Sequence, residues 1–375
     1  MKDISTIAGD IAGLRRAIDA SGFDAVILCS PENIKYVADV QVDTMKSIRD
    51  RLGLIVWAKA REPVFVLCQV EAGYVRKNSW IADIRAYKEF VNPPMTVVEE
   101  VLRELGLESG RVGCKLEYLP GKYVLQLIAA LPKLKLEPCE ALIRRVRMFK
   151  TPREIEILRH GYRGTASAMM ATYLGTQIGE DEWSLSRRLA AAILHSGAES
   201  IAFNHINAGP NTGFPHASPS DYRVKAGDII KADSGGFYQG YYSNVGRTGK
   251  MGKPTGEERD TWKRLREIHH SIIDMLRPGN TGQKLFEAAR VLHEKHKLPF
   301  PYAHNGHSIG LEVHEHPMVK PYEDIPYQAG MVSTVETRVR EVGVKGLHME
   351  DLLLITDGAP VLLSDTFDNE EILVI

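Results

Sequence analysis

The sequence predicts a two-domain α/β protein, and three observations lead to that expectation. A chain of 375 residues is long for one hydrophobic core and suits two. Its first half alternates helical and strand patterns and contains no glycine-rich phosphate loop. Near residue 150 the pattern changes to long helices, followed by apolar strands with acidic residues inside them. The boundary is therefore expected there, giving domains 1–150 and 151–375.

Along the chain, "IAGLRRAIDASG" reads as an amphipathic helix ending at Gly22, and "DAVILCS" as a buried strand. "LGLIVWA" and "PVFVLCQV" are two further strands, and "PGKYVLQLIAALP" is a helix between a proline start and a proline stop. At the boundary, Thr151, Pro152 and Glu154 form a capping box with proline at the first helical position. A long amphipathic helix follows to Gly175, and a second, "EDEWSLSRRLAAAILHSG", closes at Gly197. "GDIIKADSGG" is then a turn feeding an apolar strand that ends in Asp233, and "GFYQGYYSNVGRT" is a tyrosine-rich strand returning past Asn244. Helices are expected over 256–276 and 281–296. "GMVSTVETRV" and "LHMEDLLLIT" read as central strands holding Glu336 and Glu350, joined as a hairpin by a loop with Gly343 and Gly346.

Composition removes several classes of function. With Lys+Arg 47 against Asp+Glu 48 and no basic block, nothing favours capture of nucleic acid or of an anionic membrane surface. No apolar run approaches the length that spans a bilayer, and the first residues lack the cationic start and apolar core of a signal peptide. Cys29, Cys68, Cys114 and Cys139 show no CxxC spacing and read as buried free thiols. A soluble, cytoplasmic chain is expected.

The chemistry lies in the second half. A glutamate inside an apolar strand is costly to bury without a partner, yet Glu336 and Glu350 both sit there, with Asp233 on a third strand. Convergence on a cation makes such burial tolerable. His307, in the glycine-lined "HNGHSIG", is the natural imidazole partner. One histidine with several carboxylates suits Mn, Fe, Co or Zn and hardly suits a structural zinc, which prefers thiolates. His216 in "FPHAS" and His314 in "VHEHP" read as substrate-facing groups that donate to an oxyanion or move a proton. "HEHPM" is not the HExxH of a zincin helix.

In order and spacing, "INAGPNTGFPHA", "AGDIIKADSGG", "GYYSNVGRT", "GHSIGLEVHEHP", "GMVSTVETRV" and "LHMEDLLLIT" resemble the creatinase/aminopeptidase P/prolidase superfamily, peptidase family M24. "FDAVILCSPENIKYVADV" is similar to that family's amino-terminal domain and "ALIRRVRMFKTPREIEILRHG" to its interdomain junction, so the resemblance covers nearly the whole chain. It implies a creatinase-like α/β domain followed by a catalytic domain of the α+β pita-bread fold. It implies that Asp233, His307, Glu336 and Glu350 are metal ligands, and that Asn244 falls where the family has an aspartate bridging two ions. His216 and His314 fall on positions that contact substrate and stabilise the tetrahedral intermediate, and Glu336 doubles as proton shuttle. The implied activity is a metal-dependent hydrolysis like that of Xaa-Pro dipeptidases and aminopeptidases, in which metal-activated water attacks an amide carbonyl. One or two divalent ions are expected, manganese first, with cobalt, zinc or iron as alternatives. The expected substrate is a small peptide or another small molecule, and the expected assembly is a homodimer.

The sequence also departs from the family. Thr337–Arg338 stand where a proline–glycine is usual, His348 where the proline-specific peptidases commonly have arginine, and Ser308 where glycine follows the metal-binding histidine. An amide at Asn244 offers one ligand oxygen and no charge, so a second ion is expected to bind more weakly than the first. These departures keep a second activity open: a small-molecule C–N hydrolase or lyase on the same scaffold, resembling creatinase, ectoine hydrolase or a sulfonium lyase. A metal-free binding protein is a third reading. It predicts broad erosion of the ligand set and added basic tails, and neither appears.

Overall fold

A computed structural model describes residues 3–48 and 50–375. The chain divides into two compact units, Met1–Arg147 and Met148–Ile375. Among the described residues no helix is long and apolar enough to cross a membrane.

In the first unit six strands form one mixed sheet: β1 (Ala25–Leu28), β2 (Leu54–Ala58), β3 (Val64–Cys68), β4 (Asp83–Tyr87), β5 (Arg111–Cys114) and β6 (Lys135–Pro138). Their order is β4-β3-β2-β1-β5-β6. β1 and β2 are buried at every position, which explains their continuous apolar runs. All four cysteines are buried and free. The two expected helices run Ile11–Ala20 and Gly121–Ala130, the first stopping short of Gly22 because the Ser21 N–H already closes the last turn on Ile18 O.

The second unit opens with the helix Pro152–Leu174. Its capping box is formed on both sides, by the Thr151 side chain and by Glu154. Helices Glu182–His195, Gly256–Met275 and Gly282–Lys295 follow the expected spans closely. The strands are β7 (Ser200–Ala208), β8 (Ile229–Tyr238), β9 (Tyr241–Tyr242), β10 (Val245–Lys250), β11 (His307–Ser308), β12 (Glu315–Met318), β13 (Val332–Glu341), β14 (Lys345–Leu354), β15 (Val361–Leu362) and β16 (Leu373–Val374). The main sheet runs β13-β14-β10-β8-β7, with β9, β15 and β16 attached to it.

Three expectations need correction here. β8 does not end at Asp233 but continues to Tyr238, because β7 keeps pairing with it as far as Ser200↔Phe237. The returning segment is broken in two, and Asn244 lies between β9 and β10 rather than within a strand. β13 and β14 do form a hairpin, but β13 is an edge of the main sheet, so only Glu350 lies on a central strand. Val335, Met349 and Leu353 enter the apolar core with Trp262, Leu265 and Ile268 of the helix Gly256–Met275. Strand alternation then turns Glu336 and Glu350 to the opposite face.

Candidate metal centre

Strand register assembles the acidic residues. Glu336 pairs with Glu350, Glu350 with Gly246, Gly246 with Asp233, and Asp233 with His205. Residues directly opposite one another in antiparallel strands project to the same face. One row across five strands therefore sets three carboxylates on one face. The next row on that face runs through Arg338, His348, Thr248 and Lys231: Arg338 pairs with His348, Thr248 pairs with Lys231, and the Thr248 side chain bonds the backbone of His348. A row of acids thus lies beside a row rich in bases. Gly246 leaves the space that the His348 ring fills, since a Cβ there would lie 2.6 Å from the ring.

The edge of β13 that is not paired to β14 explains how His307 reaches this face. The Glu336 N–H donates to Asn305 O at 3.0 Å, and the His307 N–H donates to Thr334 Oγ1 at 3.1 Å. Gly306 between them has φ 147°, and a Cβ would sit 2.1 Å from Thr334 O. Only glycine allows so close an approach. The His307 Nδ1–H donates to Ser308 O at 2.9 Å, a tautomer assigned from the bond because a carbonyl can only accept. Its Nε2 lone pair then faces Glu336 Oε1 at 3.3 Å and Glu350 Oε1 at 3.7 Å.

A lone pair directed at two carboxylates repels them unless a positive charge lies between. Burial, above all, holds His307 down to about 4, so the imidazole does not supply that charge at neutral pH. Burial also pushes Glu350 far above the usual carboxylate range, reinforced by Asp233, and it raises Asp233 against the opposing pull of Lys231 and Arg338. Among the described residues, Asp233 Oδ1, Asn244 Oδ1, Glu350 Oε2 and both ring nitrogens of His348 are buried without a hydrogen-bond partner. So many unmet polar atoms in one place are costly. The donor atoms of His307, Glu336 and Glu350 lie within 4.8 Å of one another, and this trio fits a divalent ion.

Asp233 shares the face but lies outside that trio. Asn244 has turned its Nδ2 onto Glu350 Oε1 at 3.0 Å and lies 3.5 Å from His307 Nε2. His216 and His314 line a cavity of about 520 Å³ together with Asp233, Asn244 and Glu336. The His314 ring centroid lies 4.4 Å from that of His307. Glu315 fixes the loop that presents His314: its Oε1 accepts the N–H groups of Leu311 and Glu312, and its Oε2 takes Lys150 Nζ at 2.8 Å. Desolvation and the imidazoles of His307 and His304 lower His314, although its open position lets solvent screen the effect. Desolvation, then Arg340 and Lys231, lower His216.

The sequence marks Arg338 only as a departure from the family pattern, and gives no sign that Tyr302, His304 and Arg340 line the same cavity with it. Period-two counting from Glu336 places 338 and 340 on the same face. Thr337, between Glu336 and Arg338, points the other way and bonds His269 Nδ1 at 2.8 Å.

A profile of Metallopeptidase family M24 matches residues 156–357, and one of the Creatinase/Prolidase N-terminal domain matches residues 11–149. The chain is 29% identical over 351 residues to the Xaa-Pro dipeptidase of Pyrococcus horikoshii, covering 93% of this chain and 95% of that protein. It is 26% identical over 371 residues to the probable dipeptidase PepE of Mycobacterium tuberculosis, covering 97% and 96%. The crystal structure of dipeptidase PepE from Mycobacterium ulcerans superposes with a TM-score of 0.86 at 25% identity over 97% of this chain and 96% of the other. Prolidase from Thermococcus sibiricus gives 0.87 at 22% identity over the whole of both chains, a likeness of fold. The carboxylate–histidine trio and these matches lead to one conclusion: the chain belongs to metallopeptidase family M24, with a creatinase/prolidase amino-terminal domain, and is a metal-dependent hydrolase of prolidase-like pattern.

Proposed function

We propose that this hydrolase is a dipeptidase of the Xaa-Pro type with manganese as its working ion. The observation that supports it best is the trio of His307, Glu336 and Glu350 opening onto a cavity of dipeptide size, lined by two further histidines. The oxygen-rich donor set favours manganese over softer ions. Asp233 and Asn244 adjoin the trio as further ligands, Asn244 through its one neutral oxygen. A divalent ion in such a site supplies Lewis acidity and lowers the pKa of water. The residues do the rest. His216 and His314, both shifted toward the neutral form, present N–H donors to the carbonyl oxygen as charge builds on it. Glu336 holds the proton in transit to the leaving amine. The buried free thiols suit a cytoplasmic setting, and we read the protein as a homodimer, as the family resemblance implies. Light scattering at micromolar concentration tests the dimer, and a monomer would end that reading.

The test of function is turnover of Gly-Pro and Met-Pro beside non-proline dipeptides, with Mn²⁺ added. Xaa-Pro hydrolysis is expected, and the His314→Ala substitution should cut turnover roughly 100-fold with metal content unchanged. Unaltered kinetics in that variant would remove His314 from the mechanism. Turnover confined to guanidino, cyclic amidine or sulfonium compounds in the same panel would reassign the substrate.

A further inference from the structure

Arg340 is a cation of the cavity without a counter-charge of its own. It lines the cavity half-buried, and its Nε is buried without a hydrogen-bond partner. Among the described residues no carboxylate pairs with it. Its guanidinium carbon lies 5.7 Å from the Tyr302 ring centroid, and that of Arg338 lies 4.6 Å from the same centroid. Tyr302 is itself fixed, its hydroxyl donating to Arg338 O at 2.9 Å. Arg338 donates from Nη2 to His304 O at 3.0 Å, while its Nε is buried without a partner. Two guanidiniums are thus gathered on one aromatic ring, an arrangement that the ring faces favour and the like charges oppose.

The carboxylates lining the cavity are Asp233 and Glu336, and both face the ion site. With a divalent ion bound, Asp233, Glu336 and Glu350 leave the centre one negative charge, against two arginines. The loaded cavity is therefore net positive and selects an anion. A planar fork with free N–H groups suits a carboxylate, which accepts several donors at once.

Placement narrows the choice of carboxylate. Arg338 and Arg340 follow Glu336 by two and four residues on β13, on the same face. After desolvation, Arg340 is the first charge that lowers His216, so it stands near the histidine proposed to meet the carbonyl oxygen. In a dipeptide the free carboxylate lies one residue, ~3.8 Å, beyond the scissile carbonyl. A carbonyl held at the trio puts that carboxylate within reach of the arginines. A longer peptide would offer them a neutral amide instead.

We infer that Arg340, with Arg338 beside it, binds the free C-terminal carboxylate of the substrate and thereby restricts hydrolysis to dipeptides. The inference rests on the Xaa-Pro dipeptidase reading and names the residues that measure chain length.

The test compares Gly-Pro, Gly-Pro amide and Gly-Pro-Gly on Mn²⁺-loaded wild type, Arg340→Met and Arg340→Lys. Wild type should favour Gly-Pro over the other two by about 10–100-fold in kcat/KM, chiefly through KM. Arg340→Met should close most of that gap, and Arg340→Lys, which keeps the charge, should restore part of it. Calorimetry adds a readout independent of turnover: proline should bind wild type more tightly than prolinamide, and the preference should shrink in Arg340→Met. Circular dichroism separates misfolding from lost binding, and Arg340→Gln takes the place of a methionine variant that unfolds. Equal kcat/KM for Gly-Pro and its amide in wild type, or an undiminished preference for the acid in the folded variant, would overturn the clamp. Turnover of none of the three peptides, with the calorimetric preference for proline intact and lost in the variant, would overturn the Xaa-Pro reading and leave the clamp standing.

Discussion

Glu350 and Asp351 are neighbours on β14, both buried, and they point to opposite faces of the same sheet. Asp351 is fully provided for. Arg247 Nη2 at 2.7 Å and Ser364 Oγ at 2.6 Å bind one oxygen, while Asn369 Nδ2 at 2.9 Å and His269 Nε2 at 3.1 Å bind the other. Arg247 and these donors hold its carboxyl well below the usual range despite burial. Glu350 receives one protein hydrogen bond, from Asn244, and its Oε2 has none among the described residues. Burial pushes it the other way. One residue apart, a carboxylate built for the fold brings its own cations, and a carboxylate built for chemistry leaves room for one.

The largest test of that contrast is the stability of the two neutralised variants. Asp351→Asn leaves Arg247 buried without its counter-charge and should cost about 3–5 kcal/mol in chemical denaturation. Glu350→Gln replaces a carboxyl that burial already drives toward its neutral form in the metal-free fold, and should change stability by less than about 1 kcal/mol. Equal losses in the two variants would erase the distinction.

A smaller effect sharpens it from the ligand side. Mn²⁺ at a hundred times its dissociation constant should stabilise the wild type by about 2.7 kcal/mol. That increment should vanish in Glu350→Gln and persist in Asp351→Asn, provided the latter is still folded at the temperature used. A thermal shift retained by Glu350→Gln would remove Glu350 from the ligand set.

The smallest effect concerns pH. Desolvation first, then Arg338 and His307, hold His304 down to about 3 from an ordinary 6.5. The unfolded chain therefore takes up a proton below 6.5 that the native chain refuses until about pH 3. Stability is full above 6.5 and falls as pH drops toward 3. Urea unfolding of metal-free protein at about pH 7.5 and about pH 5 should show a loss of roughly 1–2 kcal/mol from this group, reduced in His304→Asn. An identical loss in the variant would place the proton uptake elsewhere.

Some of this was readable before any coordinates. The capping box at Thr151 is set by four consecutive residues, and Glu336 and Glu350 stand out because an acid in an apolar run is expensive at any register. The hairpin joining them was readable from its loop glycines, and the ordered motifs pointed to the fold. All of these signals are local, because the cost or the bond that creates each one lies within a few residues of chain.

What lay beyond the sequence was distance between segments. Pattern alone did not reveal that Glu336, Glu350, Gly246 and Asp233 share one row, since register is fixed by pairing between strands far apart in the chain. The same holds for Gly306, whose close approach to Thr334 brings His307 onto the edge of β13. It holds most for Arg338, which in sequence is only a departure at a glycine position. Its place against Tyr302 and His304 comes from groups meeting across the fold. Sequence supplied the charges. Only tertiary structure decided which of them face each other, because electrostatic energy depends on separation in space and not along the chain.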